Sequence, residues 1–148
     1  MPAALSVTRF RKLIDNISRL YANARRAQVR FAWETGRLIV LEEQDGKMRA
    51  AYGKQLIPKL SEELTEKYGP GFSDSNLRKM RHFYLLHPKQ SVATELDWTD
   101  YVELLPIKDE RVRQRLERRT LKENLNAKQI RQLVRAVRDL PQPSAKLP

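Results

Sequence analysis

The sequence predicts an all-α chain: a long N-terminal helix, straight or bent, then a helix-turn-helix, then a small C-terminal helical bundle. Apolar residues recur at three-to-four spacing through nearly every segment, and no segment alternates persuasively as a half-buried strand would. From Leu60 to Arg81 the order is periodic helix, glycine-broken turn, periodic helix.

From Val7 to about Glu43 no proline interrupts, and only Gly36 weakens the run. Phe10, Ile14, Ile17, Tyr21, Ala24, Phe31 and Leu38 keep close to a helical period. A continuous helix of that length spans roughly 55 Å at 1.5 Å per residue. One small domain does not cover that, so the helix either bends or projects to pack on another chain, and a homodimer through it is expected. Arg25, Arg26 and Arg30 sit mid-run as either a solvated face or a second anion contact, and the solvated face is the expectation. Asp45-Gly46-Lys47 is a turn, and Tyr52 to Tyr68 is the first helix of the hairpin, with Pro58 tolerated near its start.

Gly69 and Pro70 stop that helix, and Gly71 supplies the positive φ of a tight turn. Phe72 plugs the angle between the helices, and Ser73 or Asp74 caps the next one, which buries Leu77, Met80 and Tyr84 and ends at His87-Pro88. Lys89 to Leu96 is a polar loop. Asp97 caps a short helix holding Trp98, Tyr101, Val102, Leu104 and Leu105, and Pro106 closes it. Asp109 opens a helix through about Lys122 with Val112 and Leu116 inward. Asn126-Ala127-Lys128-Gln129 is a capping-box variant that starts a last helix burying Ile130, Leu133, Val134 and Val137. The expected organisation is a long helix over 1–45, a helical domain over 46–140 and a proline-rich tail or linker over 141–148.

The 148-residue chain is long enough for one domain with a real core, and it carries a formal net charge of +11 with a pI of about 10.2. That balance favours a polyanionic partner, nucleic acid first and an anionic membrane surface second. The excess is spread along the chain: ten Lys/Arg against five Asp/Glu up to Ala51, and twelve against nine beyond Gln90. No run approaches the ~20 apolar residues of a transmembrane helix, and the N-terminus lacks a basic-then-apolar signal peptide. With no cysteine, disulfides and thiolate metal sites are excluded. The expectation is a cytoplasmic protein with no membrane partner.

Turned by about 100° per residue, Ser75, Arg78, Lys79 and His82 fall together on the outer side of the second hairpin helix. A major groove accepts a short helix with such a face, and arginine and lysine match guanine acceptors. An ordinary hairpin with a solvated face explains the same pattern. Asn76 rotates towards the core boundary and caps or braces the turn instead. Lys128, Arg131, Arg135 and Arg138 make a basic stripe on the last helix, and Arg111, Arg115, Arg118 and Lys122 a similar one before it. Double-stranded DNA is the partner these residues suggest, with roughly six to ten phosphate contacts and a steep salt dependence. Solvated charge on good helix formers is the plainer account of the stripes.

Little points to catalysis. His82 and His87 lie five apart with no cysteine or dedicated carboxylate at metal spacing. The five glycines form neither a Walker nor a dinucleotide loop. A metal-dependent nuclease needs acidic residues and a lysine on a sheet edge, and no sheet is predicted. The chain is expected to have no metal, no cofactor and no catalytic residue of its own.

Several ordered motifs resemble the N-terminal domain of the YhcG-like family: Trp33-Glu34-Thr35-Gly36-Arg37, Ala51-Tyr52-Gly53-Lys54, Leu60-Ser61, Tyr68-Gly69-Pro70-Gly71-Phe72-Ser73, Asn76-Leu77, Met80-Arg81, Phe83-Tyr84 and Leu96-Asp97-Trp98. The resemblance covers about Ala24 to Leu140. In that family this bacterial domain of unknown function usually precedes a PD-(D/E)XK nuclease domain, which implies action on DNA and a nuclease as partner. The nuclease half is absent from this chain, so the resemblance implies a non-catalytic module. Where the family has tryptophan, serine or threonine, then histidine and tyrosine, this chain has Trp98-Thr99-Asp100-Tyr101. A looser likeness joins the helix-turn-helix, Tyr101-Val102-Glu103-Leu104-Leu105, Asp109-Glu110-Arg111 and Leu125-Asn126-Ala127-Lys128-Gln129-Ile130 to the DNA-binding region of ParB-type partition proteins. The leading expectation is a DNA-binding module, and its alternative is a protein-interaction or oligomerisation module working through the long helix.

Overall fold

With no proline between Ala3 and Gln44, nothing in the sequence withholds a backbone N–H from the helical ladder, and α1 runs unbroken over Ala3–Gln44. The computed structural model describes residues 3–89 and 96–140. The tail over 141–148 and most of the polar loop expected after Lys89 lie outside the described residues. At its 42 residues α1 is roughly 63 Å long, so it projects. Residues 6–28 are exposed except for half-buried Ala22 and Arg25, whereas Val29, Ala32, Trp33, Ile39 and Val40 in its second half are buried.

The chain then makes α2 (Gly46–Tyr52), a single 3₁₀ turn (Gly53–Gln55) and α3 (Leu56–Tyr68). This corrects the expected helix from Tyr52 to Tyr68 and the expected turn at Asp45-Gly46-Lys47. Asp45 is instead the N-cap of α2, its carboxylate accepting from the Lys47 N–H at 2.8 Å. Gly53, at φ 52°, breaks the run, and Pro58 then falls in the first turn of α3, where an absent N–H costs nothing.

The remaining helices are α4 (Asp74–Leu86), α5 (Trp98–Leu104), α6 (Glu110–Glu123) and α7 (Ala127–Asp139). The described residues contain no strand, and the fold class is all-α as expected. Asp109 caps α6 through the Arg111 and Val112 N–H groups. Asn126 and Gln129 form the reciprocal capping box of α7, both bonds at 2.9 Å.

α4 is the hub. Its Leu77, Met80 and Phe83 are buried, and α1, α3 and α5 all pack on it. Gly36 permits a close approach of α1 to α4: a Cβ there would lie 2.1 Å from the Met80 carbonyl oxygen. Beside the crossing, Trp33 meets Tyr84 edge-on at 5.3 Å, and its indole N–H donates to the His87 carbonyl at 2.6 Å. Phe83 carries the core onward, 5.1 Å from Trp98 and 4.9 Å from Tyr101. α5 hands it to α7 through Leu104, Ile130 and Val134. Arg25 corrects the expectation of a fully solvated face, because its guanidinium is half-buried and paired with Asp97. Arg81 likewise pairs with Glu43 on α1.

Candidate nucleic-acid interface

The α3–α4 hairpin is built by local chemistry. Gly69 and Gly71 take φ of 90° and 108°, in the region that favours glycine. Ser73 caps α4 by accepting from the Asn76 N–H at 3.1 Å, and the Asn76 side-chain amide donates back to the Gly71 carbonyl at 3.3 Å. Phe72 fills the corner, 6.0 Å from Phe31 and 5.7 Å from Tyr68. The start of α4 is thereby fixed against α1 and α3, which is what a positioned recognition surface requires.

Packing on several sides leaves α4 one open strip, formed by Ser75, Arg78, His82 and Leu85. Lys79 borders it and is half-buried. Arg78 pairs with Asp74 one turn earlier on the same helix, so its charge is partly offset. The strip is therefore narrower and less basic than a helical wheel drawn on α4 alone suggests.

His82 faces two guanidinium groups. Although the residue is exposed at the strip, partial desolvation by its neighbours first, then the Arg113 and Arg81 charges, push its pKa below the ordinary 6.5. The folded state thus favours neutral imidazole. The unfolded chain takes up a proton near pH 6.5 and the folded chain only at lower pH, so stability falls as pH drops through that window and levels off below it. We expect the loss of thermal midpoint between about pH 7.5 and about pH 5.5 to be smaller in His82→Gln than in the wild type. Equal losses in the two proteins would remove this role for His82.

The second and larger basic surface lies on α6 and α7. Arg111, Arg115, Arg118 and Lys122 are exposed on α6, as are Lys128, Arg131, Arg135 and Arg138 on α7. Of these eight only Arg131 makes an ion pair among the described residues, a two-pronged one with Glu103 at 2.7 and 3.2 Å. The structure thus keeps each row of expected residues together on its own helix. No hydrogen bond or ion pair between described residues joins the α4 strip to the α7 row. Sequence reasoning missed Arg113, which is 3% exposed, donates to the Ile107 carbonyl at 3.0 Å and has no carboxylate partner among the described residues. Its signal was there: Arg113, Leu116 and Thr120 share one helical face, and all three are buried.

No group of three or more His, Cys, Asp and Glu side chains among the described residues can hold a metal ion, and no described helix is long and apolar enough to cross a membrane. What the fold and surface define is a basic helical domain with a central hairpin and a projecting helix. Residues 10–137 match the DUF1016 N-terminal domain, and the chain belongs to that family. It is also 45% identical over 84 residues to an Escherichia coli (strain K12) protein named "Putative nuclease YhcG". That match covers 51% of this chain and 22% of the relative, so it spans about a fifth of that protein's length. No solved structure matches the chain.

Proposed function

We propose that this chain is a non-catalytic module that binds double-stranded DNA and serves a nuclease, with α3 and α4 as its helix-turn-helix. The observation that carries this reading is the pair of exposed cation rows on α6 and α7, seven of whose eight members have no acidic partner among the described residues. Solvated faces of helices usually intersperse both signs, and uncompensated rows at three-to-four spacing match a phosphate backbone better than they match water alone. The α4 strip supplies the groups that would reach base edges, with Ser75 and His82 as hydrogen-bonding partners and Arg78 and Lys79 as cations. The relative's printed name supports a nuclease as the partner served. A cytoplasmic location follows from the same reading.

The test is a titration of a labelled random-sequence duplex, followed by fluorescence anisotropy at several salt concentrations. Micromolar or tighter binding at low salt is expected, with log K falling against log salt at a slope of about −5 to −9 for six to ten phosphate contacts. Absence of binding at the lowest salt would sink the reading. A binding isotherm insensitive to salt would also count against it, since the rows would then not be touching phosphates.

A further inference from the structure

The projecting half of α1 exposes Val7, Phe10, Leu13, Ile14, Ile17, Leu20 and Tyr21, each between 41% and 68% accessible. Leu13 and Phe31, Ile17 and Thr35, and Leu20 and Leu38 are each 18 residues apart, which is five turns of 3.6. The apolar stripe of the first half therefore continues along one face into the second half. There Phe31, Thr35 and Leu38 form one wall of an apolar groove of about 600 Å³. Leu60, Leu64 and Tyr68 of α3 form the other wall, and Leu77 of α4 lines it too. The groove is the space left because α1 and α3 both pack on α4.

We propose that a second copy of this chain fills that groove. The two α1 helices run antiparallel about a twofold axis, and each projecting half lies in its partner's groove with Ile14 between the partner's Phe31 and Leu38. The inserted helix completes a four-helix layer with α1, α3 and α4.

Three features favour this occupant. The stripe offers on the order of 700 Å² of accessible apolar surface per copy, and the groove rim adds to it, which reaches the ~800 Å² per partner of a stable interface. The charges are complementary: residues 6–24 of α1 carry Arg9, Arg11, Lys12 and Arg19 against Asp15, whereas α3 carries Glu62, Glu63 and Glu66 against Lys59 and Lys67. α3 is thus net acidic in a chain of net charge +11. A parallel pair would cover only the projecting halves, leave both grooves open and set the α1 cations beside each other. The antiparallel arrangement moves them next to α3. This inference stands on the apolar surface and does not rest on the DNA-binding reading.

Light scattering on the full chain at micromolar concentration, without DNA, is the first measurement. It should give twice the 17.4 kDa chain mass. Ile14→Glu/Ile17→Glu on the stripe and Phe31→Glu/Leu38→Glu on the groove should each weaken the dimer by about 100-fold or more, because each buries charge against apolar surface. Far-ultraviolet circular dichroism should show both variants still helical. As the chain has no cysteine, oxidation adds an independent readout. Ile14→Cys combined with Phe31→Cys or with Leu38→Cys should crosslink two chains, and Ile14→Cys alone should not. A monomeric wild type, a groove variant that stays dimeric, or crosslinking of Ile14→Cys alone would each overturn the proposal.

Discussion

Gly36→Ala is expected to lower the thermal midpoint by roughly 5–10 °C, although alanine is ordinarily the better helix former by ~1 kcal/mol. The sign is decided by the crossing of α1 and α4. The added Cβ would meet the Met80 carbonyl oxygen at 2.1 Å, the Met80 carbonyl carbon at 2.7 Å and the Tyr84 Cβ at 3.0 Å. The first two are backbone atoms that no rotamer change can clear, so the two helices must separate. Separation opens the packing of Trp33 on Tyr84 and strains the indole hydrogen bond to the His87 carbonyl. Overpacking of this kind typically costs about 1–3 kcal/mol, more where backbone must move, and that exceeds the propensity gain. Gly46 is the internal control. It opens α2, and a Cβ there would have nothing within 4 Å, so Gly46→Ala should leave the midpoint unchanged or slightly raised. Thermal unfolding followed by circular dichroism distinguishes the two, and a Gly36→Ala midpoint at or above wild type would mean that the crossing is loose.

What the sequence made legible was chemistry that closes within a turn or two. Gly71, Ser73 and Asn76 do in the hairpin what their types and spacing suggest, and the Asn126–Gln129 box opens α7 as expected. The motif order that resembled the YhcG-like family falls within residues 10–137, which match the DUF1016 N-terminal domain. What stayed hidden depends on partners far along the chain. Gly36 looks in sequence like a weak point of a long helix, and only the approach of α4 makes it a contact. Arg25 is tied to Asp97, 72 positions away, and Arg131 to Glu103, 28 away, so neither pairing is visible in a local period. Ser75, Arg78 and His82 are exposed as expected, but Lys79 is half-buried, because a helical wheel knows where Lys79 points but not which neighbour crowds it. The break at Gly53 was missed because a glycine after apolar residues is as compatible with a continuing helix as with a 3₁₀ turn.

Reversing charge on α4 should give the largest effect on DNA binding of any change on that helix. In Arg78→Glu/Lys79→Glu, affinity for a duplex is expected to fall by about 100-fold or more, since each base- or phosphate-directed cation contributes on the order of 1–3 kcal/mol. The salt slope should shrink by about two, one for each contact removed. The Arg78–Asp74 pair complicates the single change at Arg78. Glutamate there would face Asp74 one turn away, and like charges at that spacing cost the helix a few tenths of a kcal/mol. Arg78→Gln/Lys79→Gln avoids the repulsion and should retain the fold with about a tenfold loss. The α7 row gives the comparison that separates positioning from reading. Arg135→Glu/Arg138→Glu removes two exposed cations that make no ion pair among the described residues, and it should weaken all duplexes alike. If α4 enters the major groove, its variants alone should also flatten any preference among duplex sequences. Equal behaviour of the α4 and α7 variants would reduce α4 to one more phosphate contact. Unchanged affinity in the α4 variants, with the fold intact, would take the hairpin out of the interface and leave binding to α6 and α7.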